Sequence, residues 1–219
     1  MELYDVMRTA FAAREFTDDP VPDEVLTRIF DHARFAPSGG NRQGGHVIVV
    51  RDQATKDAIS EMTVAGARRY TAQVRAGENP WNTWTPTAVS DETIAATQIP
   101  SYMLETVRRA PVVIVVAVDL RVVASIDQYL SRVGLVTGGS IYPLAWNIIL
   151  AAHNEGYGGT LTTMPIAEEP RLQEALGLPP YIAVAAIIPM GRPVKRLTKL
   201  RRKPVSEFVH RERFDGEPW

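Results

Sequence analysis

The chain has 219 residues, of which 45% are hydrophobic, enough to build the core of a single domain. Its 24 basic and 25 acidic residues nearly cancel, so composition gives no general attraction to nucleic acid or to an anionic membrane. It contains no cysteine, which excludes disulfides, thiolate nucleophiles and cysteine-ligated metal centres. Redox chemistry would therefore require a bound cofactor.

The first third of the sequence predicts three helices and one strand. Apolar residues recur at helical spacing between Leu3 and Phe11, and again between Val25 and Ala33. A β-branched run from His46 to Val50 predicts a strand. Asp52 is a suitable N-cap for a third helix, which carries apolar residues as far as Ala65.

The remaining elements alternate between helices and strands. Ser101 is expected to cap a short helix that Pro111 ends, and a wholly apolar strand follows. Further helices are predicted near Ile126 to Val133 and from Ile141 to Ala152. Further strands are predicted near Gly159 to Thr162 and Ile182 to Ile188. This alternation predicts a layered α+β domain but leaves the strand order open.

The hydropathy of the sequence predicts neither secretion nor membrane insertion. Glu2 and Asp5 lie where a signal peptide would carry basic residues, so a cytoplasmic location is expected. The apolar run from Val112 to Val118 is too short to cross a membrane, and Asp119 ends it. It is typical of a strand that is buried on both faces.

The loop from Pro37 to Gln43 is the strongest candidate for a ligand-binding segment. Pro37 ends the preceding helix, and the glycines that follow permit a close backbone approach. Ser38, Asn41 and Gln43 supply short polar groups that can hydrogen-bond a flat polar heterocycle. The alternative is a simple helix-to-strand turn, in which Ser38 and Asn41 cap the backbone.

Five segments, in this order, resemble blocks of the FMN-dependent nitroreductase family. They are Arg14–Pro22, Arg34–Gln43, Gly138–Asn147, Gly156–Thr163 and Arg201–Val205. The resemblance implies a single domain over residues 1–219, a three-layer α+β fold with a mainly antiparallel central sheet flanked by helices. It also implies a homodimer with each FMN at the interface, and NADH or NADPH as the electron donor.

The resemblance also implies roles for individual residues. Arg14 and the tail residues Arg201 and Arg202 would clamp the FMN phosphate, and the segment of Thr162 and Thr163 would offer a backbone N–H to flavin N5. The remaining flavin contacts would come from the loop residues Pro37, Ser38, Gly39, Asn41 and Gln43. The chain departs from the family pattern at Phe11 and Ala12, where the family has Arg and Ser, and at Gly44-Gly45, where it has Pro-Trp.

The region from about 65 to 100 matches no recognised pattern and is expected to form a lid. Trp81, Trp84 and Tyr70 stand in it without core periodicity, which suggests a wall for a small-molecule acceptor or packing on a neighbouring subunit. The tail from about 191 to 219 is rich in Arg, Lys and Pro but carries three aromatic residues. Docking on a partner and a frayed terminus both fit this composition.

No side chain is assigned as a catalytic acid or base, and no metal site is expected, because the four histidines lack metal-ligand spacing. The leading hypothesis is an FMN oxidoreductase that uses NAD(P)H to reduce a nitroaromatic or a quinone by ping-pong hydride transfer. One alternative is a relative with other flavin chemistry, such as dehalogenation or flavin fragmentation. Another is a non-catalytic flavin-binding or regulatory protein on the same scaffold.

Overall fold

The computed structural model describes residues 1–219, which fold around one four-stranded antiparallel sheet. Its strands are β1 (Gly45–Val50), β2 (Val112–Asp119), β3 (Gly158–Gly159) and β4 (Ile182–Gly191). Their spatial order is β1-β2-β4-β3, and all neighbouring pairs run antiparallel. The predicted α+β class and the antiparallel sheet are therefore confirmed.

Seven helices surround this sheet, and short 3-10 turns connect several of them. The helices are α1 (Leu3–Thr9), α2 (Asp23–Ala33), α3 (Gln53–Arg75), α4 (Asp91–Ala96), α5 (Tyr102–Arg108), α6 (Tyr142–Asn154) and α7 (Glu169–Leu176). The 3-10 turns are Gly39–Asn41, Val136–Ser140, Met164–Glu168 and Val205–Glu207. None of these helices combines the length and the apolar content that a membrane crossing requires.

The three layers follow from the pleat of β2, in which every residue is buried. Successive side chains of a strand point to opposite faces, so β2 contributes to two separate cores. Ile114 and Val116 pack in the core that α2 and α6 cover, while Val113 and Val115 pack in the core that α3, α5 and α7 cover. A strand that is apolar at every position requires helices on both faces, and the fold supplies them.

Most of the predicted elements are present, including the N-cap at Asp52, whose carboxylate accepts a 2.8 Å hydrogen bond from the Thr55 amide. The strand predicted at Gly159 to Thr162 is shorter than expected. Only Gly158 and Gly159 form a regular ladder, and Thr162 then makes an isolated bridge to Ile187. β4 is longer than predicted and continues to Gly191.

The predicted helix from Ile126 to Val133 is wrong, because this segment forms turns. The buried carboxylate of Asp127 explains the difference. It accepts hydrogen bonds from the Arg132 guanidinium at 2.7 Å and from the Leu135 amide at 2.7 Å. These bonds lower the Asp127 pKa, the amide making the largest contribution. The chain wraps around one carboxylate, and a regular helix cannot provide that arrangement.

The region from 65 to 100 is not one long loop. α3 continues without interruption to Arg75, so Tyr70 is a helical residue, and α4 occupies Asp91–Ala96. The irregular parts of this region are residues 76–90, between these helices, and residues 97–100, and the first of them carries both Trp81 and Trp84. The sequence did not show the continuation because residues 66–75 include few large apolar side chains.

Gly66 brings α3 against the 3-10 turn that begins at Met164. A Cβ at position 66 would overlap the Met164 carbonyl oxygen and lie 3.1 Å from its Cα. Helix propensity alone predicts that Gly66→Ala stabilises α3 by about 1 kcal/mol. We expect the opposite sign, a loss of about 1–3 kcal/mol from overpacking, measured by urea unfolding.

Gly139→Ala is the matched control, because nothing lies within 4 Å of a Cβ at that position. Its expected change is within about 0.5 kcal/mol. A Gly66→Ala protein as stable as the wild type would show that α3 and the turn do not pack this closely.

Candidate functional site

A cavity of about 520 Å³ lies beside the β3 edge of the sheet. We call it cavity A. α3 contributes Thr63 and Tyr70 to its wall, α5 contributes Tyr102 and Thr106, and the segment 160–164 after β3 closes another side. Arg14 also lines it. Cavity A thus contains Arg14, Tyr70, Thr162 and Thr163 among the residues predicted from the sequence to bind ligands.

The segment that follows β3 presents free backbone donors to cavity A. Thr162 exchanges two 2.9 Å hydrogen bonds with Ile187, its amide donating to the Ile187 carbonyl and its carbonyl accepting from the Ile187 amide. In an antiparallel pairing the residues on either side of such a pair direct their amides away from the partner strand. Leu161 and Thr163 both line cavity A, and their amides donate to no group of the protein.

This pairing distinguishes the two threonines. The Thr162 amide is occupied by Ile187, so it is not available to a ligand, whereas the Thr163 amide is available. The Thr162 hydroxyl accepts a 3.4 Å hydrogen bond from the Met164 amide. Leu161 was not predicted, because an apolar side chain gives no indication that its backbone is a free donor.

Arg14 brings a cation to the same cavity. The chain before it lies along β3, since the Ala13 amide donates to the Gly159 carbonyl at 3.1 Å and Ala12 forms a bridge with Gly159. The Arg14 guanidinium makes one weak hydrogen bond, to the Ala12 carbonyl at 3.3 Å, and forms no ion pair. A cation without a carboxylate partner can bind an anionic group of a ligand.

The loop from Pro37 to Gln43 does not line cavity A. Its polar groups stabilise the loop itself: the Gln43 amide donates to the Ser38 hydroxyl at 2.9 Å, and the Gly39 amide donates to the Ser140 hydroxyl at 2.9 Å. Asn41 and Gln43 have φ values of 52° and 51°, in the left-handed region that non-glycine residues rarely adopt. These hydrogen bonds thus hold the loop backbone in an unusual conformation.

The sheet register sets the separation between this loop and Arg14. Gly45, just after the loop, pairs with Val118 at one end of β2. Gly159, beside Arg14, pairs with Met190, which pairs with Val112 at the other end. Six residue steps along β2 and three strand spacings place the two corners roughly 25 Å apart. In one chain, the loop and the Arg14 segment lie at opposite corners of the sheet.

The tail arginines are also separate from cavity A. Arg201 and Arg202 are exposed, and the one hydrogen bond of the Arg202 guanidinium is to the neighbouring Arg201 carbonyl at 2.7 Å. The tail folds back on itself, with a bridge between His210 and Pro218. Phe208, Phe214 and Trp219 remain mostly exposed.

A second cavity, of about 490 Å³, adjoins cavity A at Thr163 and Met164, which line both. We call it cavity B. Its wall is mainly apolar and includes Trp81, Tyr142 and Ile166. Trp84 lines neither cavity and is 90% exposed. The structure therefore separates the two tryptophans that the sequence grouped together.

One carboxylate fixes the irregular segment that carries Trp81. Glu78 accepts hydrogen bonds from the Thr87 hydroxyl at 2.6 Å and the Ala88 amide at 2.7 Å, which lower its pKa. Gln73 of α3 adds a 3.2 Å bond to Glu78 and accepts a 3.1 Å bond from the Trp81 amide. Both ends of the segment are therefore held against α3.

The sequence profile of the nitroreductase family matches residues 8–192 of this chain. The chain belongs to the nitroreductase family. The match includes every wall of cavities A and B, and it ends before the tail arginines. The resemblance inferred from the five blocks is thus confirmed at the level of the family.

Several related proteins are similar to the chain over most of its length. Human iodotyrosine deiodinase 1 is 26% identical over 95% of this chain and 68% of its own length. The FMN reductase [NAD(P)H] of Bacillus subtilis is 27% identical over 92% of this chain and 70% of its own. A putative nitroreductase from Desulfovibrio desulfuricans, solved in complex with FMN, superposes with a TM-score of 0.67 at 22% identity, covering 98% of both chains.

Proposed function

We propose that this protein is an FMN-dependent oxidoreductase that uses NADH or NADPH to reduce an electron-poor small molecule. The observation that carries the proposal is the joint placement of Arg14 and the free amides of Leu161 and Thr163 on one cavity of about 520 Å³. A cation and uncommitted N–H donors are the groups that a flavin phosphate and a flavin ring nitrogen would need. The FMN complex of a family member with the same fold supports this fit.

The roles of the residues follow from these positions. When bound, FMN supplies two-electron chemistry between a reduced nicotinamide and an acceptor such as a nitroaromatic or a quinone. Arg14 would bind the phosphate, and the Thr163 amide would donate to a ring nitrogen and orient the ring. The apolar wall of cavity B would exclude water above the ring and admit a planar acceptor. No side chain has to move a proton in this scheme.

The phosphate role of Arg14 can be separated from general effects on flavin binding. Arg14→Ala should weaken FMN binding by about 1.5–3 kcal/mol, the value of a hydrogen bond to a charged group. Riboflavin lacks the phosphate, so its affinity should be unchanged. Arg202→Ala tests the tail in the same titration.

Arg171→Ala is the matched control, since Arg171 is half-exposed on α7 and paired with Glu168. Equal losses for FMN and riboflavin in Arg14→Ala would contradict the phosphate assignment. If neither Arg14→Ala nor Arg202→Ala lowers FMN affinity, the proposed clamp is wrong.

We further propose a homodimer in which one chain supplies Arg14 and its partner supplies the loop at Ser38. The separation of these segments within one chain, roughly 25 Å, motivates this arrangement. The chain also exposes large apolar side chains that a partner could cover. They include Tyr129 and Ile126 in the turns before α6, Trp146 on α6, and Phe214 in the tail.

A mixed dimer tests this proposal. Arg14→Glu reverses the charge in the first segment. Gly40→Val damages the loop, because Gly40 has a φ of 62° that valine does not tolerate. Each variant alone should bind little FMN. Coexpressed with different affinity tags, the purified heterodimer should regain about half the flavin of the wild-type dimer, since one of its two sites is intact.

A heterodimer without flavin would contradict the shared site. So would a wild-type protein that sediments as a monomer at micromolar concentration and still binds FMN tightly.

Trp81 is expected to contribute to the acceptor site, because it lines cavity B. Trp81→Ala should lower kcat/KM for a nitroaromatic acceptor by about tenfold while leaving FMN affinity unchanged. Trp84→Ala is the control within the same segment, and its expected change is less than about twofold. Equal effects of the two substitutions would indicate a general disturbance of the segment instead of an acceptor contact.

Reductive dehalogenation is the second candidate, supported by the likeness to iodotyrosine deiodinases over 95% of this chain. The same flavin site would serve both reactions. The two reactions can be distinguished by giving the reduced holoprotein either an iodinated phenol or a nitroaromatic. Release of iodide identifies a dehalogenase, and reoxidation by the nitroaromatic alone identifies a reductase. Purified protein that binds no FMN would contradict both.

A further inference from the structure

Arg69 is a cation without an ion-pair partner, and it lies against Trp81, a residue of the cavity B wall. It lies on α3, one turn after Gly66, which packs against Met164 of the cavity wall. None of the ion pairs in the structure includes Arg69, and its Nε atom is buried without a hydrogen-bond partner. The two terminal guanidinium nitrogens are not buried and also donate to no protein group, so they are the atoms free to bind an anion or a carbonyl.

The carboxylate of Glu78 does not form an ion pair with Arg69. Glu78 lies close enough for the Arg69 charge to lower its pKa slightly, but its oxygens accept from Thr87, Ala88 and Gln73 instead. The Thr87 hydroxyl makes the largest contribution to this lowered pKa, and Arg69 the smallest. Glu78 therefore holds the segment in place and leaves the guanidinium available.

Trp81 connects Arg69 to the cavity. The guanidinium carbon lies 5.1 Å from the centre of the Trp81 ring, within the range of a cation–π contact, and the same indole lines cavity B. The Trp81 amide is bound by Gln73, one helical turn beyond Arg69, so the indole and the guanidinium are held on the same side of α3. A planar ligand in cavity B would therefore meet an indole that has a guanidinium beside it.

We propose that cavity B binds planar aromatic acceptors that carry a carboxylate, with the ring against Trp81 and the carboxylate on Arg69. This inference rests on the proposed function for the identity of the reaction and adds the class of substrate. A guanidinium binds a carboxylate in a two-pronged geometry that a neutral amide does not reproduce. The apolar remainder of the wall, including Ile166 and Val184, suits the ring.

The test compares two acceptors of the same shape, 4-nitrobenzoate and 4-nitrobenzamide, by calorimetry on FMN-loaded protein. The wild type should bind the benzoate about tenfold more tightly than the benzamide, the ratio that one charge-assisted contact provides. Arg69→Gln should reduce this ratio to about one with little change in affinity for the benzamide. Arg68→Gln is the matched control, because Arg68 is the exposed neighbour on the same helix and, unlike Arg69, has no cation–π contact with Trp81.

The outcomes separate this proposal from the proposed function. A wild type that binds both acceptors equally, or an Arg69→Gln protein that keeps the preference, overturns the carboxylate site while FMN binding stands. A loss of preference in Arg68→Gln equal to that in Arg69→Gln also overturns it, since it indicates a nonspecific effect of charge. The wild-type ratio needs no variant, so the test holds even if Arg69→Gln folds poorly. Absence of the visible absorption band of bound flavin would instead refute the proposed function.

Discussion

The complete burial of β2 is the constraint on which the rest of the structure depends. A strand with no exposed position must be paired on both edges and covered on both faces. β1 and β4 meet the first requirement, and the helices on the two faces meet the second. With β2 central, β3 joins at the outer edge of β4, and the chain leaves the sheet there. Cavity A forms at this exit.

The position of the two cavities follows from the short length over which β3 pairs with β4. After two ladder residues the chain keeps only the bridge between Thr162 and Ile187, and it then turns into the 3-10 segment at Met164. α3 approaches the same turn closely because Gly66 has no side chain. Thr163 and Met164 therefore line both cavity A and cavity B, so the two cavities adjoin. The proposed hydride transfer between cofactor and acceptor would require two adjoining sites of this kind.

The sequence predicted the parts of the fold that depend on local periodicity. The strand around Val115, the long apolar helix α6 and the cap at Asp52 were all recognisable, because their patterns are set by neighbours along the chain. The helix predicted at Ile126 failed because the deciding group, the Asp127 carboxylate, acts on amides eight and nine residues away. The continuation of α3 was missed because the face that packs on the turn uses Gly66, which carries no hydrophobic pattern.

The residues of the candidate site were likewise predicted only in part from the sequence. Arg14 and Thr163 were found through short motifs, and the structure places both on one cavity. Arg69 was not identified, because an arginine in a helix has no distinctive spacing, and its significance lies in the absence of a partner. The loop at Ser38 was identified from its composition, but the sequence could not show that the loop lies at the far corner of the sheet from Arg14. Pairing register carries that information, and register depends on contacts between distant segments.

The free amides of Leu161 and Thr163 have a consequence for how this site can change over time. They belong to the main chain, so any residue except proline supplies the same donor. The side chains at these positions can therefore vary to suit a new acceptor while the proposed hydrogen bond to the cofactor is retained. An alanine scan of the segment would leave both donors in place and would underestimate its importance. Replacement of the amide by an ester through chemical synthesis, or substitution by proline, would be needed to remove them.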